Sequence, residues 1–402
     1  MRRVAIVTTK QPGTNPRVRK SATALSAAGM EVHVLYAYTA SWADDVDLHT
    51  FQKAKWRHRR IGGHPIQERT SYLISRVKSK IGGLLRLRDM KLCPNLRHYI
   101  KHLKLLEPDL VIGHNPGALP ILRKWNRSTN GQILFDAEDF HRGESYWVRV
   151  GQEDTIISLE NDVFQYLSTI TTASPLISAA YQKLYPELKV ETINNAFPLK
   201  LLQPKPEKGN GPLKLVWFSQ VLGLDRGLEE FLVGMTKVPE LPISLSLIGL
   251  NTTVKKEAIL AHLNSSNHAI TFIEPKPEEE LLKFLSKQEI GLALEIGSPK
   301  NRDICRTNKL YTYPLAGCFM LVSKTSAQDH FCEEWPSTGR SIELNQPETI
   351  AEALTWALLN RTELHNQRRK SWENARTLLN WESESELLIE LVQKMTSEQP
   401  PT

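Results

Sequence analysis

A chain of 402 residues, 41% of them hydrophobic, exceeds one ordinary core and fits two domains of average size, which excludes a disordered protein. No window reaches the roughly 18 uninterrupted apolar residues of a membrane-spanning helix. The apolar run in "MRRVAIVTTKQPG" is too short for a signal peptide, so a cytoplasmic location is expected.

The first elements, "VAIVTT", "VRKSATALSAAG" and "EVHVLYA", read as strand, helix and strand, with Gly29 ending the helix. Beyond them lies most of the positive charge. The formal net charge is +7, yet Lys53 to Lys104 alone holds 15 Lys or Arg against Glu68 and Asp89, an excess of 13, so the remaining chain sums to −6. Within this region "SYLISRVKSKIGGLLRLRDMKL" repeats Leu, Ile and Tyr near helical spacing with Arg and Lys between. Such a face suits an anionic membrane surface. Nucleic acid is not expected, because neither an aromatic-interleaved platform nor zinc-finger spacing accompanies the charge.

The runs "DLVIGH", "QILFDAED", "STITTASP" and "KVETINNAF" continue the strand series, and their polar carboxyl ends should line a cleft. His114 and Asn115 follow one such end. Asp136, Glu138, Asp139 and Glu144 cluster with His141 after the next, either facing the cleft or capping a helix. The Pro-, Lys- and Gly-rich "PLKLLQPKPEKGNG" reads as a linker. A second α/β series follows it, from "PLKLVWFSQ" through "PISLSLIGL", "AITFIEP" and "EIGLALEIG" to "CFMLVS". Between these strands lie segments of helical spacing, the last being "NKLYTYPLAG". Two further helices end the periodic sequence, and the tail from residue 396 to 402 is expected to be disordered. Cys93, Cys305, Cys318 and Cys332 show no metal-ligand spacing, so reduced thiols and no metal site are expected.

The order of "VAIVTTKQPGTNPRVRKSATALSAAGMEVHVL", "FDAEDF", "TASPLISAAYQKLYP", "INNAFP", "DRGLEEFL" and "TNKLYTYPLAG" resembles the retaining glycosyltransferases of family 4, over roughly Arg3 to Val392. The resemblance implies the GT-B fold, two facing Rossmann-like domains with a deep cleft between them. It assigns 1–203 to acceptor binding and 204–375 to a nucleotide-sugar donor, with a helix over 376–395 returning to the first domain. It implies transfer of a sugar from a nucleoside diphosphate, UDP or GDP, to a hydroxyl of a glycan or lipid-linked acceptor, with retention. No cofactor or metal is needed, because basic side chains and helix N–H groups stabilise the leaving diphosphate. With the basic region in the acceptor domain, this points to the inner face of the cytoplasmic membrane.

Residue by residue, the resemblance makes Gly13, Asn15 and Arg17 an acceptor or phosphate loop. Glu138, standing where relatives carry a His, is a catalytic candidate, and Asp139 beside it and His114 at the neighbouring strand end join it by their position. Gln220, Arg226, Glu295, Arg306, Asn308, Lys309 and Thr312 become donor contacts. Gln220 replaces a family Arg, Arg226 a Lys, and Thr312 a Glu that holds the ribose. A hydroxyl cannot accept both hydrogen bonds of a ribose diol. These departures also admit a GT-B scaffold that has lost catalysis and serves in binding or assembly, or a nucleotide-sugar epimerase.

Overall fold

The computed structural model describes residues 1–144, 153–223, 226–250, 253–261 and 267–397. They form two compact units, Met1–Asn194 with the chain from Glu384 onward, and Asn195–Ser383.

The first unit is built on a seven-stranded sheet in the order β3-β2-β1-β4-β5-β6-β7. Its strands are β1 (Arg3–Thr8), β2 (Glu31–Tyr36), β3 (Arg57–Arg60), β4 (Leu110–His114), β5 (Gln132–Ala137), β6 (Thr169–Thr172) and β7 (Lys189–Thr192). Every pairing is parallel. The sheet's middle is buried on both faces: Val4, Ala5, Ile6 and Val7 in β1, and Leu110 and Val111 in β4, are fully enclosed. Continuous apolar runs of this kind are what a parallel sheet covered by helices requires. The first helix, Pro16–Ala27, begins with proline at its first position and Asn15 as its N-cap, and Gly29 takes φ +84° just beyond it, a conformation that glycine adopts without strain.

The second unit carries a six-stranded sheet, ordered β10-β9-β8-β11-β12-β13, again parallel throughout. Its strands are β8 (Leu213–Val221), β9 (Ile243–Leu250), β10 (Ala269–Ile273), β11 (Ile290–Ala293), β12 (Phe319–Ser323) and β13 (Gly339–Ile342). Alternate residues feed two cores: Leu215, Trp217, Leu245 and Leu292 on one face, and Val216, Ile248, Ala293 and Met320 on the other. The short helix Lys309–Leu315 contains Pro314 and is buried along its whole length. It lies close against the sheet because Gly291 has no side chain, and an added Cβ there would stand 2.3 Å from the Tyr313 ring.

The proline- and lysine-rich stretch does not behave as a free linker. Gln203 donates its N–H to the Leu315 carbonyl at 3.0 Å, Trp372 Nε1 donates to the Gln203 carbonyl at 2.7 Å, and Arg368 Nη1 donates to the Glu207 carbonyl at 2.9 Å. These bonds hold the stretch in the second unit, so the passage between units falls at Asn194, ahead of the expected boundary after 203. The helix Trp381–Met395 carries the chain back to the first unit from Glu384 onward. There Glu384 accepts from the Asn194 N–H at 2.7 Å and from its side-chain amide at 2.8 Å. The tail over 398–402 lies outside the described residues. Among the described residues no helix is long and apolar enough to cross a membrane.

Candidate functional site

In an open parallel sheet, ligands bind beyond the carboxyl ends of the strands where the strand order reverses. Each unit has such a point, between β1 and β4 in the first and between β8 and β11 in the second.

In the first unit this place is filled by a charged network. Arg17, in the opening turn of the first helix, makes a two-pronged bond with Asp136 at the end of β5, Nε to Oδ2 at 2.6 Å and Nη2 to Oδ1 at 2.8 Å. Its remaining nitrogen donates to the Ile193 carbonyl at 2.7 Å. Thr171 adds a bond to Asp136 Oδ1 at 2.6 Å. His114 Nδ1 lies 3.1 Å from Asp136 Oδ2 and 3.0 Å from Glu138 Oε1, and Asn15 Nδ2 donates to that same Glu138 oxygen at 2.5 Å.

Burial works against charge on His114, but the carboxylates of Asp136 and Glu138 outweigh it and raise its pKa to about 9. Asp136 is likewise desolvated, and Arg17 and His114 hold it well below the usual carboxylate range. Glu138 is desolvated too, and its hydrogen bond to His114 with the attendant charge keeps its pKa lowered. The result is an alternating chain of anion and cation, in which Glu138, its side chain 20% exposed, reaches the surface while His114 is 1% exposed.

The sequence expectations for this unit change accordingly. Arg17 is not a phosphate-loop cation, because its guanidinium is 2% exposed and spent on Asp136. Asn15 caps the helix, accepting from Arg17 N at 3.0 Å and Val18 N at 3.3 Å, and orients Glu138. Gly13 is needed for close packing: its N–H donates to Asp47 at 2.6 Å, and a Cβ would lie 2.8 Å from the Ala43 carbonyl oxygen. His114 is an internal partner of Glu138 rather than an exposed base. Asp139 falls in a separate group with His141 and Glu144, where His141 Nδ1 meets Glu144 at 3.1 Å. The two His and carboxylate groups, this one and His114 with Asp136 and Glu138, are the places where ligand atoms for a cation converge among the described residues. In the latter the carboxylates already neutralise Arg17 and His114, which leaves little attraction for a metal.

Asn115 lies directly after β4, at the strand end where the sequence places it. Its backbone sits at φ +61°, ψ +159°, a region adopted almost solely by glycine. The side chain secures it, donating to Thr8 Oγ1 at 2.6 Å and accepting from Thr9 Oγ1 at 2.8 Å. Nothing in its residue type announces the strain.

In the second unit the corresponding place is open. A cavity of about 600 Å³ is lined by Ser219 and Gln220 at the end of β8, Arg226 before the next helix, Glu295 after β11, and Asn308 and Lys309 at a helix start. Phe218, Ile248, Pro275 and Leu281 supply an apolar wall. Lys276 and Arg302 also line it, and nothing distinguishes them in the sequence from other loop cations. Among the described residues the cavity therefore faces four cations with one carboxylate, and that carboxylate meets Arg226 at 3.5 Å.

Lys309 is the decisive member. Its side chain is buried, with the ammonium 5.6 Å from the Trp217 ring centre and 5.8 Å from that of Phe218. Among the described residues it makes no hydrogen bond or ion pair. Desolvation lowers its pKa to about 8, opposed by Glu295 and assisted by Arg226. A buried ammonium that no anion touches directly is costly, and a negative ligand beside it would stabilise it.

Two expected donor contacts lie elsewhere. Arg306 turns away to His330 Nδ1 at 3.1 Å and to Glu334, with its guanidinium 5.2 Å from the Phe331 ring centre. Thr312 donates its hydroxyl to the Asn308 carbonyl one turn back, at 2.8 Å. It is buried and forms no part of the cavity wall.

No family model matches the chain, and no curated protein matches it in sequence. Solved structures do match over its whole length. The sucrose-phosphate synthase of Thermosynechococcus elongatus is 13% identical, with a TM-score of 0.71 over 99% of this chain and 100% of that one. A glycosyltransferase of Rickettsia africae is 8% identical, with a TM-score of 0.72 over 99% and 100%. HepE of Anabaena, solved in complex with UDP-glucose, is 11% identical, with a TM-score of 0.70 over 98% and 100%. The architecture they share with this chain is GT-B, two parallel-sheet Rossmann-like units. At these identities the likeness carries the fold and leaves the reaction to the residues.

Proposed function

We propose that the protein is a retaining glycosyltransferase of the family 4 type, moving a sugar from a UDP- or GDP-sugar to a hydroxyl of a glycan or lipid-linked acceptor. The observation that carries this reading is the buried ammonium of Lys309, which makes no hydrogen bond or ion pair among the described residues, in a cavity that also faces Arg226, Lys276 and Arg302. A nucleoside diphosphate supplies the missing negative charge, and the apolar wall offers a surface for its base. The site lies at the strand-order reversal where such folds hold nucleotides.

In this mechanism Lys309 and Arg226 stabilise the charge that develops on the departing diphosphate. Glu295, held by Arg226, accepts from a sugar hydroxyl, and Asn308 and Gln220 orient the phosphates. The leaving phosphate takes the acceptor proton, so no further base and no metal are required. The absence of a ribose carboxylate, with Thr312 turned inward, leaves ribose binding to neutral groups of the cavity.

The test is a thermal-shift and calorimetric screen against UDP, GDP, ADP and CMP and their sugars, followed by analysis of the product's anomeric configuration. Stabilisation by one diphosphate series, lost in Lys309→Met, is the expected result. No stabilisation by any nucleotide would leave the scaffold reading in its place.

A further inference from the structure

The helix Arg69–Leu84 is turned inside out. Its face toward the protein body is small and polar. Ser75 donates to the Gly62 carbonyl at 2.8 Å, Ser79 donates to the Lys91 carbonyl at 2.9 Å, and Gly82 is so close to the following segment that a Cβ would lie 2.6 Å from Lys91 N. The opposite face is apolar and open to solvent. Leu73, Val77, Ile81 and Leu84 follow at spacings of four, four and three, which makes one stripe on a helix. They are 49%, 53%, 42% and 83% exposed. Ile74 at 50% and Leu85 at 60% widen the stripe. Along its edge stand Arg69, Arg76 and Lys80, all exposed, with Arg86 just beyond the helix end.

A helix on a soluble surface ordinarily turns its apolar side inward. Here serines and glycine secure the attachment, and the large apolar side chains are left for something else to cover. The charge around them selects the partner. The region from Lys53 to Lys104 carries 15 basic residues and two acidic ones, which suits an extended anionic surface. Apolar groups flanked by cations match the boundary between lipid headgroups and acyl chains. We infer that this helix seats the protein on an anionic lipid bilayer, with the Leu73–Leu84 stripe inserted and the flanking cations on the phosphates. This goes beyond the donor chemistry and does not depend on it.

Co-sedimentation of the full chain with vesicles tests it, using phosphatidylcholine mixed with phosphatidylglycerol against phosphatidylcholine alone. Wild type should bind the anionic vesicles and lose binding as salt is raised. The triple variant Leu73→Ser/Val77→Ser/Ile81→Ser alters only exposed side chains and should bind at least about tenfold more weakly. The triple variant Arg69→Glu/Arg76→Glu/Lys80→Glu should do the same while keeping the apolar stripe. Nucleotide affinity, measured without vesicles, should be unchanged in both, which separates this surface from the donor cavity and reports intact folding. Wild type remaining in the supernatant with anionic vesicles at low salt would overturn the inference. So would a wild-type dimer that the serine variant converts to monomer with no vesicle binding in either form, since the stripe would then be covered by a second copy.

Discussion

The two strand-order reversals make an informative pair. Both lie in parallel sheets of the same topology, and both gather charged side chains at the carboxyl ends of their strands. In the first unit the four charged groups of the network, Arg17, Asp136, His114 and Glu138, neutralise one another in sequence. In the second, Lys309, Lys276, Arg226 and Arg302 line an open cavity in which Glu295 is the one carboxylate among the described lining residues, and Lys309 makes no hydrogen bond or ion pair among them. One topology thus produces a finished internal network in one place and an unfinished electrostatic site in the other. Counting charged residues does not separate the two, whereas partner geometry does.

The contrast is sharpest under mutation. Arg17→Met leaves Asp136 buried without its main partner and should destabilise the protein by about 3–5 kcal/mol, read by denaturant unfolding, with nucleotide affinity little changed. Lys309→Met should do the reverse. It removes a charge-assisted contact of about 1.5–3 kcal/mol to a bound diphosphate, a loss of about 10- to 150-fold by calorimetry, while relieving the free protein of an unpaired buried ammonium. Equal loss of stability in the two variants would erase the distinction.

Acidity offers a second way to separate them. The His114 pKa is raised to about 9 in the folded chain, so its contribution is complete below the unfolded value near 6.5 and is lost as pH rises through about 9. Lys309 has its pKa lowered to about 8, and a diphosphate that pairs with it raises that value again. Nucleotide affinity should therefore fall as pH climbs through about 8, on a curve that Lys309→Met flattens. The smallest effect is expected at Thr312. With its hydroxyl bonded to the Asn308 carbonyl, Thr312→Val should shift nucleotide affinity by less than about 0.5 kcal/mol, whereas a ribose contact there would show a larger loss.

Much of the fold was legible because parallel strands buried on both faces announce themselves as apolar runs. Eleven strands lie where such runs occur. The two that escaped, β3 with the sequence RHRR and β13 with GRSI, are the outermost strands at one edge of each sheet. An edge strand needs little apolar signal, and charge there protects against unwanted pairing. The cavity of the second unit was legible in part, through Gln220, Arg226, Glu295, Asn308 and Lys309, which line it together, because loop order fixes which strand ends converge. Arg17, Arg306 and Thr312 make contacts that sequence could not show, because sequence places a polar group near a site but does not say which way it points. The amphipathic stripe of Arg69–Leu84 was legible from its spacing, and the structure adds its direction, with Leu73, Val77, Ile81 and Leu84 exposed.

The return of the chain at Glu384 has a consequence for biosynthesis. The first unit is encoded in two pieces separated by the whole of the second. A ribosome delivers its seven strands first, yet Leu388, Val392 and Met395, all buried, arrive only after the second unit has been made. Vectorial synthesis usually lets the leading domain finish first. Here the leading one must wait, and the inserted one can complete its own core in the meantime.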